Sequence, residues 1–349
     1  IIERMVSFMK RFPHLVPVLG AAILLAALCF IKPPGGSPAD VPIHRSDFLL
    51  NTFVDIAIYD SRDESILDGA MALCREYENR FSRTLSGSEV YRLNHREDAT
   101  GTYPLSDDMT DLLATALYYC ERSGGAFDIT TEPLSSLWNF SGTSPSVPPA
   151  EAIEEARKKV DYKKLRLDGT RSTLTFLDPG TSIDLGAIAK GYIADQLKAY
   201  LLDSGVESAM INLGGNVLCV GSRPDGTPFT VGLQKPFADR NETFAQVEVS
   251  DLSVVASGVY ERHFVEDGKN YHHILDPSTG YPYDNGLISV TILSERSVDG
   301  DALSTTCFSL GLSRGMELVE SMDGVYACFI DEDYQIHYSD GMEKFLRKD

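Results

Sequence analysis

Residues 182–221 read SIDLGAIAKGYIADQLKAYLLDSGVESAMINLGGNVLCVG, and this stretch indicates the fold class. Its first residues predict a short strand at Ser182–Leu185, after which Gly186 lets the chain turn into a long helix. The apolar segment that follows predicts two strands joined by a turn at Gly214 and Gly215. Consecutive strands after a helix are typical of an antiparallel sheet, so this stretch favours an α+β fold.

The rest of the chain continues in groups of strands and groups of helices. Patterned apolar residues predict strands at Thr52–Asp60, Leu165–Gly169, Ser172–Asp178 and Ile288–Ser294. Apolar residues at helical spacing predict helices at Ile66–Phe81, Asp107–Cys120, Ala150–Val160, Asp301–Leu312 and Arg314–Met322. Because strands and helices do not strictly alternate, we expect an α+β fold with a mixed, largely antiparallel sheet and flanking helices.

The N-terminal residues have the pattern of a membrane-targeting segment. Arg4, Lys10 and Arg11 precede an uncharged apolar run over 15–31. A basic flank followed by an apolar run is typical of an export signal or a single membrane anchor, which we predict for residues 1–31.

Two ranges follow that segment. Residues 32–46 are rich in Pro, Gly and Ser and predict a linker, and residues 47–349 predict the functional domain. LAALC resembles a lipoprotein signal ending at Cys29, so a lipid anchor there and an uncleaved helix or ordinary signal are both open. Either alternative places the domain on the extracytoplasmic face of the cell membrane.

The composition excludes some functions. The net charge is −20, which repels phosphate backbones and argues against nucleic-acid binding. An acidic chain that handles a nucleotide needs a cation, which favours metal-assisted chemistry. The six cysteines include no CxxC pair, so a zinc site is not predicted, and five of them lie in segments that resemble core.

The segment SIDLGAIAKGY offers an anion site at a helix start. Backbone N–H groups there favour a diphosphate, Asp184 could bond a ring or sugar, and Lys190 could reach phosphate. The alternative is an ordinary strand–turn–helix in which Gly186 and Gly191 serve packing.

Two adjacent histidines form a second candidate. His272 and His273 point to opposite faces of a predicted strand, so one faces a cleft and the other solvent. A structural role for either is an open alternative to a catalytic one.

The third candidate is VDGDALSTT (Val298–Thr306). On a helix, Asp301, Ser304 and Thr305 share one face and present a carboxylate and two hydroxyls, which are hard ligands that suit Mg²⁺. The alternative is N-capping of an apolar helix by Asp299 or Asp301.

Taken together and in this order, the segments resemble the ApbE family of FAD:protein FMN transferases. The resemblance covers Phe48 to the C-terminus and implies a T-fold-like α+β domain with an FAD cleft between subdomains. Its segments are FLLNTFVDIAIY, RFSRTLSGSEVYRLN, GGAFDITTEPLSSLW, DLGAIAKGY, INLGGNV, QKP, ASGVYERHF, YHHILDPSTGYP and DGDALSTT.

The resemblance implies site residues. It places Mg²⁺ at Asp301, Ser304 and Thr305 with the backbone carbonyl of Ala187. Many members carry a second Asp where this chain has Ser304. The implied FAD contacts are Leu50, Thr84, Ala126, Phe127, Asp128, Asp184, Lys190 and Leu275. Leu50 and Thr84 depart from the Met and aromatic residue that other members often have.

The implied reaction moves FMN from FAD onto a Ser or Thr of an acceptor protein, with release of AMP. FAD is then a substrate, Mg²⁺ a cofactor, and the acceptor an FMN-binding domain, expected in a membrane redox subunit. We assign catalytic roles to Asp301 and to His273, the latter as a base for the hydroxyl. Two alternatives are a metal-dependent FAD pyrophosphatase and a flavin-binding surface protein without turnover.

Overall fold

A long antiparallel sheet and two buried helices organise the structure, a computed structural model that describes residues 41–98, 100–239 and 241–348. The strands are β1 (Ile43–Leu49), β2 (Thr52–Ile58), β3 (Gly101–Pro104), β4 (Leu165–Asp168), β5 (Thr173–Phe176), β6 (Ser208–Leu213), β7 (Asn216–Gly221), β8 (Phe229–Gln234), β9 (Thr243–Val249), β10 (Ser253–Gly258), β11 (His263–Glu266), β12 (Lys269–His272), β13 (Leu287–Ser294), β14 (Tyr326–Asp331) and β15 (Ile336–Tyr338). The helices are α1 (Glu64–Phe81), α2 (Glu89–Asn94), α3 (Asp107–Arg122), α4 (Glu132–Trp138), α5 (Ala150–Arg157), α6 (Ala189–Asp203) and α7 (Ser297–Glu320).

The main sheet has eight strands in the order β1-β2-β6-β7-β10-β13-β14-β15. Every neighbouring pair in it is antiparallel. The predicted α+β fold with a largely antiparallel sheet is therefore confirmed. The sheet is antiparallel throughout rather than mixed. Three smaller sheets, β3-β5-β4, β8-β9 and β11-β12, accompany it.

Two tight turns fix the register of the main sheet. Gly214 and Gly215 join β6 to β7 with φ of 66° and 95°, a left-handed backbone that glycine adopts without steric cost. Leu50 and Asn51 join β1 to β2 with φ of 56° and 55°. The predicted glycine turn is thus confirmed, and Leu50 lies in the equivalent turn one strand pair away.

Helices α6 and α7 pack on each other, and α7 also packs on β10 and β13. Their buried side chains include Ile193, Leu197, Leu303 and Phe308, each at most 1% exposed. Burying an aliphatic or aromatic side chain stabilises a fold by about 1.5–3 kcal/mol, so this contact is a major part of the core.

Helix α7 differs from its prediction in two ways. It begins at Ser297, four residues before the predicted start at Asp301, because Asp195 of α6 accepts hydrogen bonds from the Ser297 and Val298 amides. Gly311 interrupts it with φ 78° and ψ 173°, which separates two helical segments close to the predicted boundary.

Two other boundaries also differ. Residues Ser182–Leu185 form no strand, because their amides bond outside any ladder: Ile183 N donates to Asn94 Oδ1 at 2.7 Å and Asp184 N to Ile129 O at 2.8 Å. β1 begins at Ile43, inside the range 32–46 predicted as a linker, because its residues pair with β2 from Ile43 onward.

The predicted export or anchor segment over 1–31, with Cys29, lies outside the described residues. In the part of the chain that the structure covers, no helix is both long and apolar enough to cross a membrane. The cysteines of that part are buried and unpaired, as predicted: Cys74, Cys120, Cys219, Cys307 and Cys328.

Candidate active site

Asp301 lies in the second turn of α7 and is buried against the start of α6. Its Oδ2 accepts a hydrogen bond from Gly191 N at 2.9 Å, and its Oδ1 lies 3.3 Å from Lys190 Nζ. The N-cap of α6, Ile188, has no side-chain acceptor, so one of the free N–H groups of that helix is bonded by Asp301 instead. The alternative of Asp301 as a cap of its own helix is excluded, because α7 starts four residues earlier.

Two hydroxyls stand beside Asp301 on the same helical face. Ser304 is fully buried and Thr305 partly exposed, and both lie close to Ser257 of β10. Ser257 Oγ is 2.8 Å from Ser304 Oγ and 3.1 Å from Thr305 Oγ1. Sequence reasoning missed Ser257, although it begins the segment SGVYERHF, because only the pairing of β10 with β13 brings it under α7.

A second carboxylate completes the contact between the two helices. Asp195 of α6 accepts from Ser297 N at 2.8 Å and Val298 N at 2.9 Å, the first free N–H groups of α7. Burial raises the pKa of Asp195 to about 6, and the two amide bonds partly oppose that rise. Its role was not predicted, because a cap supplied by another helix leaves no local sequence signature.

The donor set fits Mg²⁺ better than a transition metal. No group of three His, Cys, Asp or Glu residues suited to a metal occurs among the described residues. Asp301, Ser304 and Thr305 instead offer hard oxygens, and Mg²⁺ commonly binds through one or two carboxylates with waters and substrate phosphates. Ala187 lies in the turn before α6, whose Gly186 carbonyl accepts from Lys190 Nζ at 3.2 Å.

His273 interacts electrostatically with Lys190, the ion-pair partner of Asp301. It is partly exposed, and its Nδ1 is buried without a hydrogen-bond partner. Burial first, and then the positive charges of Arg262 and Lys190 with neighbouring His272, lower the pKa of His273 to about 3. The ring is therefore neutral at physiological pH.

His272 has a structural role. It is 4% exposed, its Nε2 lies 2.9 Å from the carbonyl of Tyr283, and its Nδ1 accepts from Ile274 N at 3.3 Å. One nitrogen must donate and the other accept, so the ring is the neutral Nε2–H form. His272 is therefore structural, and His273 is the partly exposed histidine of the pair. The prediction had one histidine facing a cleft and the other solvent, but His272 faces the core.

With this geometry in view, the sequence model of the ApbE family matches residues 50–330. The chain belongs to the ApbE family. An FAD:protein FMN transferase of Klebsiella pneumoniae (strain 342) is 37% identical over 293 residues, covering 83% of this chain and 90% of that protein. One of Treponema pallidum (strain Nichols) is 32% identical over 344 residues, covering 93% and 94%. The crystal structure of the ApbE protein of Thermotoga maritima superposes with a TM-score of 0.80 at 32% identity, over 88% of this chain and all of that one.

Three of the flavin contacts implied by ApbE membership lie in loops. Asp184 accepts from Gly186 N at 2.9 Å and lies 3.2 Å from Arg83 Nε, an ion pair that sequence reasoning did not predict. Thr84 follows Arg83 in an exposed loop. Leu50 N donates to Glu78 Oε1 at 2.8 Å.

A further residue connects the Leu50 turn to His273. Arg262 Nη2 lies 3.5 Å from the carbonyl oxygen of Asn51, and the Arg262 carbonyl accepts from His273 N at 3.1 Å. Arg262 therefore bridges the β1–β2 turn and the histidine. That these residues form one site with Lys190 and Asp301 stays a prediction.

The polar groups of the Ala126–Phe127–Asp128 turn form hydrogen bonds with other residues of the protein. Asp128 Oδ1 accepts from Thr130 N at 2.7 Å and its Oδ2 from Tyr162 N at 2.9 Å, while the Ala126 carbonyl accepts from Tyr283 OH at 2.9 Å. Phe127 is buried. An FAD contact from this turn stays a prediction.

Leu275 packs in a separate apolar cluster and also stays a predicted contact. It is 7% exposed and lies with Leu134, Trp138, Ile153 and Ala156. Two surface depressions lie away from the Asp301 group: one of about 700 Å³ along the end of α7 beside His337, and one of about 390 Å³ beside α4 and α5. The FAD cleft of this ApbE protein therefore also stays a prediction.

Proposed function

We propose that this protein is an FAD:protein FMN transferase that needs Mg²⁺ and moves FMN onto a Ser or Thr hydroxyl of an acceptor protein. One observation carries the proposal. The Lys190 ammonium lies 3.3 Å from the buried Asp301 carboxylate at the start of α6, so a hard-oxygen cation site and a phosphate-binding charge occur together.

The start of α6 would bind the diphosphate of FAD. Its free N–H groups favour anions, and the Lys190 ammonium adds a full positive charge within a protein whose net charge is −20. Asp301, Ser304, Thr305 and the Ala187 carbonyl would hold the metal. Bound Mg²⁺ would neutralise charge on the diphosphate oxygens.

His273 would accept the proton of the acceptor hydroxyl as that oxygen forms a bond to the FMN phosphorus. The bond from this phosphorus to the AMP oxygen breaks, AMP leaves, and FMN remains as a phosphoester. Such a transfer depends mainly on positioning and charge neutralisation, which the buried Asp301 and its partly exposed ion-pair partner Lys190 would provide.

We also propose the location and the partner. The basic flank and apolar run over 1–31 support a site on the extracytoplasmic face of the membrane, anchored by a helix or by lipid on Cys29. The acceptor would be an FMN-binding domain of a membrane redox subunit. A fusion of residues 1–46 to a reporter, followed by membrane fractionation, tests the anchor.

The decisive experiment incubates the purified protein with FAD, MgCl₂ and an FMN-binding acceptor domain. Transfer predicts an acceptor whose mass rises by one FMN, with one AMP released for each. A pyrophosphatase would release FMN and AMP without changing the acceptor. A flavin-binding protein without turnover would retain FAD and release no AMP.

A further inference from the structure

Asp195 has no assigned role in binding Mg²⁺ or FAD, yet it bonds the first residues of the helix that carries Asp301. We propose that Asp195 is a positioning residue for the magnesium site, holding the start of α7 where Asp301 meets α6. This inference rests on the function proposed above, because it assigns a further residue to the same site.

The contact is a helix cap supplied by a neighbouring helix. Ser297 N and Val298 N donate to the two carboxylate oxygens of Asp195 at 2.8 and 2.9 Å. The residue before α7, Arg296, provides no side-chain cap. Asp195 therefore satisfies two backbone donors that would otherwise be unpaired, and its negative charge complements the positive end of the helix.

The two helices cap each other with the same spacing. Asp195 follows Gly191 by four residues, and Asp301 follows Ser297 by four, so each pair shares one helical face. Asp195 accepts from Ser297 N, and Asp301 accepts from Gly191 N at 2.9 Å. Both contacts connect the same two helix faces. A rotation of α7 that breaks the bond from Ser297 N to Asp195 therefore also displaces the Asp301 carboxylate from Gly191 N.

Close packing restricts that rotation further. A Cβ at Gly191 would lie 2.3 Å from the Ser297 carbonyl oxygen, so the two backbones are in direct contact. Ser297 Oγ also donates to Asn216 Oδ1 of β7 at 2.7 Å, and both residues are buried. The start of α7 is thus tied to α6 and to the sheet, and Asp195 supplies the two bonds to α6.

A cap that only stabilised the fold would behave differently in experiment. It would lower the unfolding temperature equally with and without metal, and added Mg²⁺ would not restore transfer. If Asp195 instead positions Asp301, its replacement should weaken Mg²⁺ binding, and excess Mg²⁺ should restore occupancy of the site.

The test compares Asp195→Asn with Asp203→Asn. The first keeps one amide oxygen as acceptor but loses the charge and the second acceptor, while Asp203 is exposed at the end of the same helix. We expect Asp195→Asn to raise the MgCl₂ concentration for half-maximal FMN transfer by about tenfold or more. Excess MgCl₂ should recover most of the rate, the KM for FAD at saturating MgCl₂ should be unchanged, and Asp203→Asn should match the wild type.

Thermal unfolding with FAD supplies a readout that does not depend on turnover. The rise in Tm on adding MgCl₂ should shrink in Asp195→Asn and be unchanged in Asp203→Asn. Asp195→Glu, which keeps the charge but moves both carboxylate oxygens by one methylene, should show a smaller effect in the same direction and decides the question if Asp195→Asn does not fold.

A wild-type Mg²⁺ dependence in the folded variants overturns the proposal, as does a loss of transfer that Mg²⁺ does not restore. Failure of the proposed function is seen separately, because wild-type protein would then transfer no FMN.

Discussion

Asp195 and Asp301 lie on neighbouring helices, and each accepts an amide hydrogen bond from the first turn of the other's helix. This exchange places a buried carboxylate beside the Lys190 ammonium and two hydroxyls. The chemistry of the site therefore depends on where two helices meet, and four predictions test individual parts of it.

Replacing Asp301 with Asn should remove the metal site. We expect FMN transfer to fall by at least about 10²-fold, because the remaining hydroxyls are neutral and bind Mg²⁺ weakly. The measurement is the transfer rate over a range of MgCl₂ concentrations. Glu317→Gln, an exposed acid on the same helix, is the control. Wild-type rates in Asp301→Asn would exclude this residue as a metal ligand.

Thr305 and Thr306 allow a matched comparison of adjacent hydroxyls. Thr305→Val keeps the branched shape but removes the oxygen near Ser257, so we expect a higher Mg²⁺ requirement for transfer. Thr306 Oγ1 is buried without a partner, and an unsatisfied buried hydroxyl costs about 1–3 kcal/mol. Thr306→Val should thus keep full transfer and be as stable as wild type or more stable in urea unfolding. Equal effects of the two substitutions on the Mg²⁺ requirement would contradict the assignment.

Removing the base should slow turnover without preventing flavin binding. We expect His273→Ala to lower kcat by about 10²–10⁴-fold while FAD binding, measured by fluorescence titration, is retained. Because its pKa is lowered to about 3, kcat/KM for FAD in the wild type should not decline between pH 8 and pH 6. A variant with the full transfer rate would exclude the role. The exposed His95→Gln variant is the control.

His272 should make the folded state sensitive to acid. Burial lowers its pKa from 6.5 to about 4, so between these values the unfolded chain binds a proton that the folded chain does not. Its contribution to stability is therefore present above pH 6.5 and is lost as the pH falls. From pH 8 to pH 5 this loss amounts to about 2 kcal/mol. In urea unfolding, the free energy of unfolding should fall less between pH 8 and pH 5 in His272→Gln than in wild type. An equal fall in both proteins would refute this prediction.

The sequence was sufficient to predict the fold class and much of the site's composition. Periodicity located helices such as α1 and α3 within a few residues, because each has one apolar face. Asp301, Ser304 and Thr305 were placed together from helical spacing alone, which is a local property.

What the sequence did not reveal is non-local. Ser257 reaches Thr305 only through strand pairing, and Asp195 caps a helix that begins about a hundred residues later in the chain. The segment Ser182–Leu185 alternates like a strand, but its amides bond to Asn94 and Ile129 instead of a neighbouring strand. Contacts between distant segments decided all three cases.

The most direct test of the account is the intact mass of an FMN-binding acceptor domain after incubation with this protein and FAD, with MgCl₂ or with a chelator. We expect one added FMN and one released AMP per acceptor with MgCl₂, and an unmodified acceptor with the chelator. AMP release with an unmodified acceptor, or full modification in the chelator, would contradict it.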